Sequence, residues 1–128
     1  MTQEDKELLL KDLCSRLPYG VRYRHFTWND EFGEIYIAAR IYSINTDGYV
    51  KNCYDDETVY IDNVRPYLFP LFSMTEEQEK EYNDLNCYEL GCFPHTEDAL
   101  DYLIKNHFDF RCLISKGLAI DATGKNIY

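Results

Sequence analysis

Basic residues are scarce in this 128-residue chain: 13 Lys and Arg stand against 23 Asp and Glu, for a formal net charge of −10. Affinity for nucleic acid comes largely from Lys and Arg displacing counterions, so the bulk charge opposes nonspecific DNA or RNA binding. No run approaches the roughly 18 apolar residues that a spanning helix needs. The opening MTQEDKELLLKDL begins with acids and sustains no apolar region of signal-peptide type. A chain away from the membrane, in the cytoplasm, is the expectation. There is no Walker loop, no dinucleotide fingerprint and no nucleophile elbow, and no internal repeat or low-complexity linker interrupts the sequence.

Apolar residues make up 45% and charged residues 28%, the composition of a chain that folds, and the length fits one domain. Twelve Tyr, seven Phe and one Trp give 16% aromatics, so amphipathic surfaces are expected. The acids are unevenly placed: from Thr75 to Asp101 nine of them face one base, Lys80. Five cysteines, an odd number, fit reduced thiols better than a disulfide framework, with Cys14 and Cys112 expected as small core residues.

Periodicity predicts an α+β fold in a single domain, 1–128. Over residues 3–16 Leu9, Leu10, Leu13 and Cys14 share a helical stripe that continues to Leu17, with Thr2 as N-cap, and Leu17-Pro18-Tyr19-Gly20 ends the helix. From about 21 to 68 the period shifts to two. VRYRHFTW, EIYIAARIYSI, YVKNCY and VYIDNVRPYL are separated by the turn signals NDEFG, NTDG and DDET. This predicts a small antiparallel meander or SH3-like barrel of four to five strands. Residues 73–117 read as two to three helices. Ser73 or Thr75 caps the first, Thr96 the second, and Asp109 a third over FRCLISK. LAIDA, at 118–122, is a candidate last strand before a tail. In the joint PYLFPLFSMTEEQEKEY, Leu68, Phe69 and Leu71 or Phe72 are expected to anchor the crossing from sheet to helix.

KDLCSRLPYGV (11–21), VRPYLFPLFSMTEEQEKEY (64–82) and NHFDFRCLISKGLAIDA (106–122) resemble a family of small uncharacterised proteins from gut-dwelling anaerobic bacteria. The resemblance spans both ends and the joint, and it transfers no activity and no catalytic residue. It implies a shared scaffold with a changeable middle, a pattern more typical of binding modules than of enzymes. Phe69, Phe72 and Cys112 depart from the family phrases, making the joint and the last helix more apolar here.

The most metal-like pattern is Cys87-x4-Cys92-x2-His95, but zinc needs three or four ligands and no second pair follows. Reduced cysteines beside a turn histidine are the preferred reading, so neither metal nor cofactor is expected. Cys53 or Cys92 with His25, His95 or His107 has no flanking pattern that sets a base beside a thiol. Asp55-Asp56-Glu57 and Glu76-Glu77 read as solvated faces rather than an acid/base pair.

The informative feature is the sheet. In residues 34–44, Tyr36, Arg40 and Tyr42 lie on one side, opposite Ile35, Ile37, Ala39 and Ile41, and Arg22 and Arg24 alternate similarly. With Tyr54 and Tyr60 these form a candidate binding face of arginine and tyrosine. The preferred reading is that the acidic C-terminal helices cover it, with tyrosine rings in a sheet-helix core and arginines paired to acids. Left open, such a face would dock an acidic or proline-rich peptide, stack bases, or form a homodimer interface. The leading functional expectation is a non-enzymatic protein-interaction module. The alternatives are nucleic-acid binding through the arginine-tyrosine face, mimicry of a nucleic-acid backbone by the acidic segment, and, last, a small enzyme.

Overall fold

The computed structural model describes residues 1–85 and 97–128. Helix α1, Gln3–Arg16, opens on a complete capping box, in which Thr2 accepts from the Asp5 N–H and Asp5 accepts from the Thr2 N–H. A 3-10 turn over Leu17–Tyr19 ends at Gly20, whose φ of 73° is the left-handed stop predicted from the sequence.

Four antiparallel strands follow in the order β1 (Arg22–Asn29), β2 (Gly33–Ile44), β3 (Tyr49–Asn52) and β4 (Thr58–Tyr60), forming a curled half-barrel. The register sets Arg22 opposite Arg40 and Asn29 opposite Gly33, and a bulge between Ile41 and Ser43 helps curl β2. The turns after β1 and β2 both use asparagine. Asn29 Oδ1 accepts from the N–H groups of Glu31 and Phe32, and Asn45 Oδ1 from those of Asp47 and Tyr49.

The predicted strand over 59–68 is divided in two. The chain leaves β4, makes a 3-10 turn over Ile61–Asn63, and enters β5 (Tyr67–Pro70) in a second sheet. There β5 lies between the short parallel strands β6 (Phe108–Asp109) and β7 (Ile120–Asp121). The strand expected in LAIDA is thus present, joined to a sheet no local pattern signals.

Helix α2 (Glu76–Leu85) begins with the reciprocal capping bonds of Thr75 and Gln78, and α3 spans Glu97–Lys105. Ser73 instead donates to the Pro70 carbonyl. Thr96 and the Cys87, Cys92 and His95 pattern lie outside the described residues. The third predicted helix is corrected to a string of turns. The Asp109 carboxylate accepts from the N–H groups of Leu113 and Ile114, but Cys112 sits at φ 59°, a left-handed step that a helix cannot pass.

The core lies on the concave side of the half-barrel. Leu9 and Leu13 of α1 meet Val21, Tyr23, Ala39, Ile41 and Val50 of the sheet, with Leu113 and Leu118 completing the cluster. Each fully buried leucine contributes about 2–3 kcal/mol. Cys14 and Cys112 are exposed, not core residues as expected: on α1 the inward positions go to Leu9, Asp12, Leu13 and Arg16, and Cys112 lies at a left-handed step of the chain between Asp109 and Leu113. Arg16 Nε donates to Asp12 at 2.9 Å, and its Nη2 donates to the Phe108 carbonyl at 2.6 Å, so both charged groups are partnered where water is excluded. At the joint Leu68 is buried as expected, but Leu71 is exposed and Phe72 is 89% exposed, so neither anchors the crossing.

Candidate functional site

In the β1/β2 hairpin, even-numbered residues of both strands share the convex face. The register sets Arg24 opposite Ala38 and Phe26 opposite Tyr36, and the Arg24 guanidinium stands over the Tyr36 ring at 5.0 Å. The Phe26 and Tyr36 rings lie 5.3 Å apart. Phe26 is 48% exposed, Tyr36 62%, Trp28 66% and Phe32, in the hairpin turn, 72%. The expectation that C-terminal helices cover this face is therefore overturned. Helix α1 and the 113–119 segment bury their leucines against the opposite, isoleucine-bearing face, which leaves the convex side to solvent.

The seven residues assigned to one face are dispersed. Arg24 and Tyr36 join Phe26 and Trp28 in a platform, while Arg22 and Arg40, paired across the strands, line a separate cleft beside Gly20. The Tyr42 hydroxyl donates to Asp56, a bond that raises its pKa. Tyr54 is exposed in the turn after β3. Tyr60 lies away from the platform, edge-on to Tyr49 at 5.1 Å and beneath Lys6 of α1. Phe26 and Trp28 were missed in the sequence, although they continue the alternation that begins at Arg22 and Arg24.

The edge of β1 adds backbone to this surface. Odd-numbered residues of β1 pair with β2, as the Ile41 N–H to the Val21 carbonyl indicates, so even-numbered residues point their N–H and C=O groups outward. The outward Arg24 N–H is taken by the Arg65 carbonyl. Beyond it the strands diverge, and the Phe26 and Trp28 amides have no partner among the described residues. A groove of about 440 Å³ opens there, with Arg24, Arg65, Phe26 and Val59 in its walls together with the acids Glu57 and Asp62.

On the concave face a polar chain crosses the sheet. Asn52 Nδ2 donates to the Tyr23 hydroxyl at 3.0 Å, that hydroxyl meets His25 Nδ1 at 3.1 Å, and His25 Nε2 meets Asp55 Oδ2 at 2.9 Å. A carboxylate only accepts, so Nε2 carries the proton, Nδ1 accepts from Tyr23, and every donor has one acceptor. Burial pushes the Tyr23 hydroxyl up to about 12. Burial would raise the Asp55 carboxyl too, but the N–H groups of His25 and Glu57 outweigh it and hold the carboxyl at about 2. Glu57 lies 3.6 Å from His25 Nε2, giving a histidine and two acids close enough to share a cation. The chain of hydrogen bonds already uses both ring nitrogens of His25, so these residues are satisfied as a structural brace.

Compared with known proteins, the chain matches no family model, no curated sequence and no solved structure.

Proposed function

We infer that the protein is an interaction module that binds an extended segment of a partner protein along the free edge of β1. The observation that carries this reading is the exposed platform of Phe26, Trp28 and Tyr36 beside an edge strand whose Phe26 and Trp28 amides are unpaired among the described residues. An added strand satisfies those amides, and its alternate side chains meet the aromatic rings. Aromatics exposed in this density are characteristic of interfaces rather than of inert surface. The Arg24 guanidinium has no carboxylate partner among the described residues, so an acidic residue in the segment suits that end. Acids at Asp30, Glu31 and Glu34 around the hairpin turn weigh against a polyanion on the same surface.

Trp28 is the sole tryptophan and lies within the platform, so its emission reports on occupancy directly. Selection of displayed random peptides against the intact chain, with Trp28→Ala as counter-target, tests the reading. Peptides with alternating apolar residues and an acid are expected, each shifting Trp28 emission to the blue. Failure to enrich any Trp28-dependent peptide overturns the reading. So does saturable binding of single-stranded oligonucleotides at low salt through the same residue, or a dimer that buries Trp28 without any peptide.

A further inference from the structure

A wide cleft lies at the end of the β1/β2 hairpin away from its turn, where Arg22 faces Arg40, and its charge is unlike that of the chain around it. It encloses about 850 Å³, within the size range of sites that hold small organic ligands. The Pro18–Gly20 turn, the first residues of β1, the Thr75 end of α2, the residues after α3 and the 123–128 segment form its walls. In a protein of net charge −10, three cations, Arg22, Arg40 and Lys105, line it, with no Asp or Glu among its described lining residues. None of the three makes an ion pair among the described residues. Arg22 is fixed by donating from Nη1 to the Ala38 carbonyl at 3.1 Å, while Arg40 and Lys105 are exposed and free to meet a ligand.

The rest of the wall is aromatic. The Tyr128 ring stacks on His107 at 4.0 Å with an interplanar angle of 14°, and Phe69 lies 5.9 Å from Tyr128. His107 is buried, and its Nε2 donates to the Tyr19 carbonyl at 3.0 Å. Its Nδ1 is then a bare acceptor, buried with no hydrogen-bond partner among the described residues. Polar side chains on the α2 side, Thr75 and Gln78, complete the lining. Cations without counter-charges, flat rings and a few hydrogen-bonding groups are the complement of one chemical class.

We propose that this cleft binds a small organic anion built on a planar ring, with its phosphate or carboxylate received by Arg40 and Lys105 and its ring against the Tyr19 and Tyr128 side. Unpaired cations gathered in one concavity otherwise repel each other, and a bound anion relieves that repulsion. The inference is independent of the platform on β1, which shares none of these residues.

The test is a titration followed by amide proton-nitrogen spectra of the full chain, with AMP and salicylate as phosphate and carboxylate probes and adenosine as the uncharged control. Millimolar AMP or salicylate is expected to shift the amides of Gly20, Asn106 and Gly124 saturably while leaving the Trp28 indole in place. Adenosine is expected to bind about tenfold more weakly than AMP, and Arg40→Ala and Lys105→Ala each to weaken the anions about tenfold, the loss typical of one charge-assisted bond. Both substitutions are at exposed positions, so the fold is retained and the spectra remain interpretable. If neither anion moves the cleft amides, or if both variants bind as the parent does, the proposal is overturned. Shifts confined to the Trp28 platform overturn it equally.

Discussion

His107 is held with its ring flat against Tyr128 and its backbone at φ 61°, and that position sets its charge. Burial and the neighbouring Arg16 guanidinium push its pKa down from 6.5 to about 4. Between those values the unfolded chain takes up a proton that the folded chain refuses, so stability falls as pH falls through the window. The full effect is about 3 kcal/mol, present above the unfolded value and lost by the time pH reaches the folded one. His107→Asn, which tolerates the left-handed backbone, should flatten the slope of unfolding free energy between pH 6.5 and 4, as read by urea titrations. Asp12 offers a second test. Its carboxylate is the partner of two guanidiniums, Arg16 and Arg111, and removing it in Asp12→Ala leaves the buried Arg16 without its counter-charge. A loss of about 3–5 kcal/mol in urea unfolding is expected. In the sequence Asp12 and Arg16 resemble any solvated i,i+4 pair on a helix. What makes them internal is the Phe108 carbonyl, 92 positions away from Arg16, a partner no local pattern reveals.

Turns and caps are the elements whose chemistry is local, and they are the ones that sequence conveys best. The Thr2 and Thr75 capping boxes, the Asn29 and Asn45 turns and the left-handed stop at Gly20 each depend on residues within a few positions. Gly48 shows how tightly one such turn is built: its φ is 91°, and a Cβ there would stand 3.3 Å from both Ile61 Cγ2 and Tyr60 Cε1. Gly117 has φ 74° with nothing within 4 Å. Gly48→Ala should cost about 1–3 kcal/mol and Gly117→Ala about 1 kcal/mol, measured as separate shifts in the denaturation midpoint. Elements that depend on distant partners are not legible from local pattern. The 59–68 segment has the alternation of one strand, yet β5 leaves the half-barrel because β6 and β7 supply parallel neighbours. FRCLISK has the apolar spacing of a helix, yet the Asp109 carboxylate and the turn at Cys112 hold it as a loop under the core leucines. The candidate face was half legible. Period-two alternation places Arg24 and Tyr36 together, but it cannot say that α1, rather than the acidic helices, takes the concave side.

Across the whole molecule, charge is sorted by location. Helix α2 carries Glu76, Glu77, Glu79 and Glu81 at its surface, whereas the large cleft presents three cations with no Asp or Glu among its described lining residues, and the platform presents Arg24 with Glu57 and Asp62 in the adjoining groove. Both binding events proposed above should therefore weaken as salt rises, the cleft more steeply because two cations receive one anion there. Titrations of AMP at low and physiological ionic strength give the comparison directly. The two ends of the chain are also one unit structurally. Helix α1 needs the Leu103, Ile104 and Phe108 carbonyls to satisfy Arg16, and β5 needs strands from beyond residue 107 on both sides. A chain cut after Lys105 should lose dispersed amide resonances throughout, not only near the cut.

That dependence sets an order of events during synthesis. The strands of the half-barrel are all made by residue 60, but the Phe108 carbonyl that receives Arg16 is made 92 residues after Arg16 itself. At ordinary rates of elongation this is about 5–20 s in which α1 carries an incomplete apolar face on the ribosome. Through that interval the first helix to be made waits for the last segment, and a nascent chain stalled before Phe108 presents α1 to chaperones and proteases.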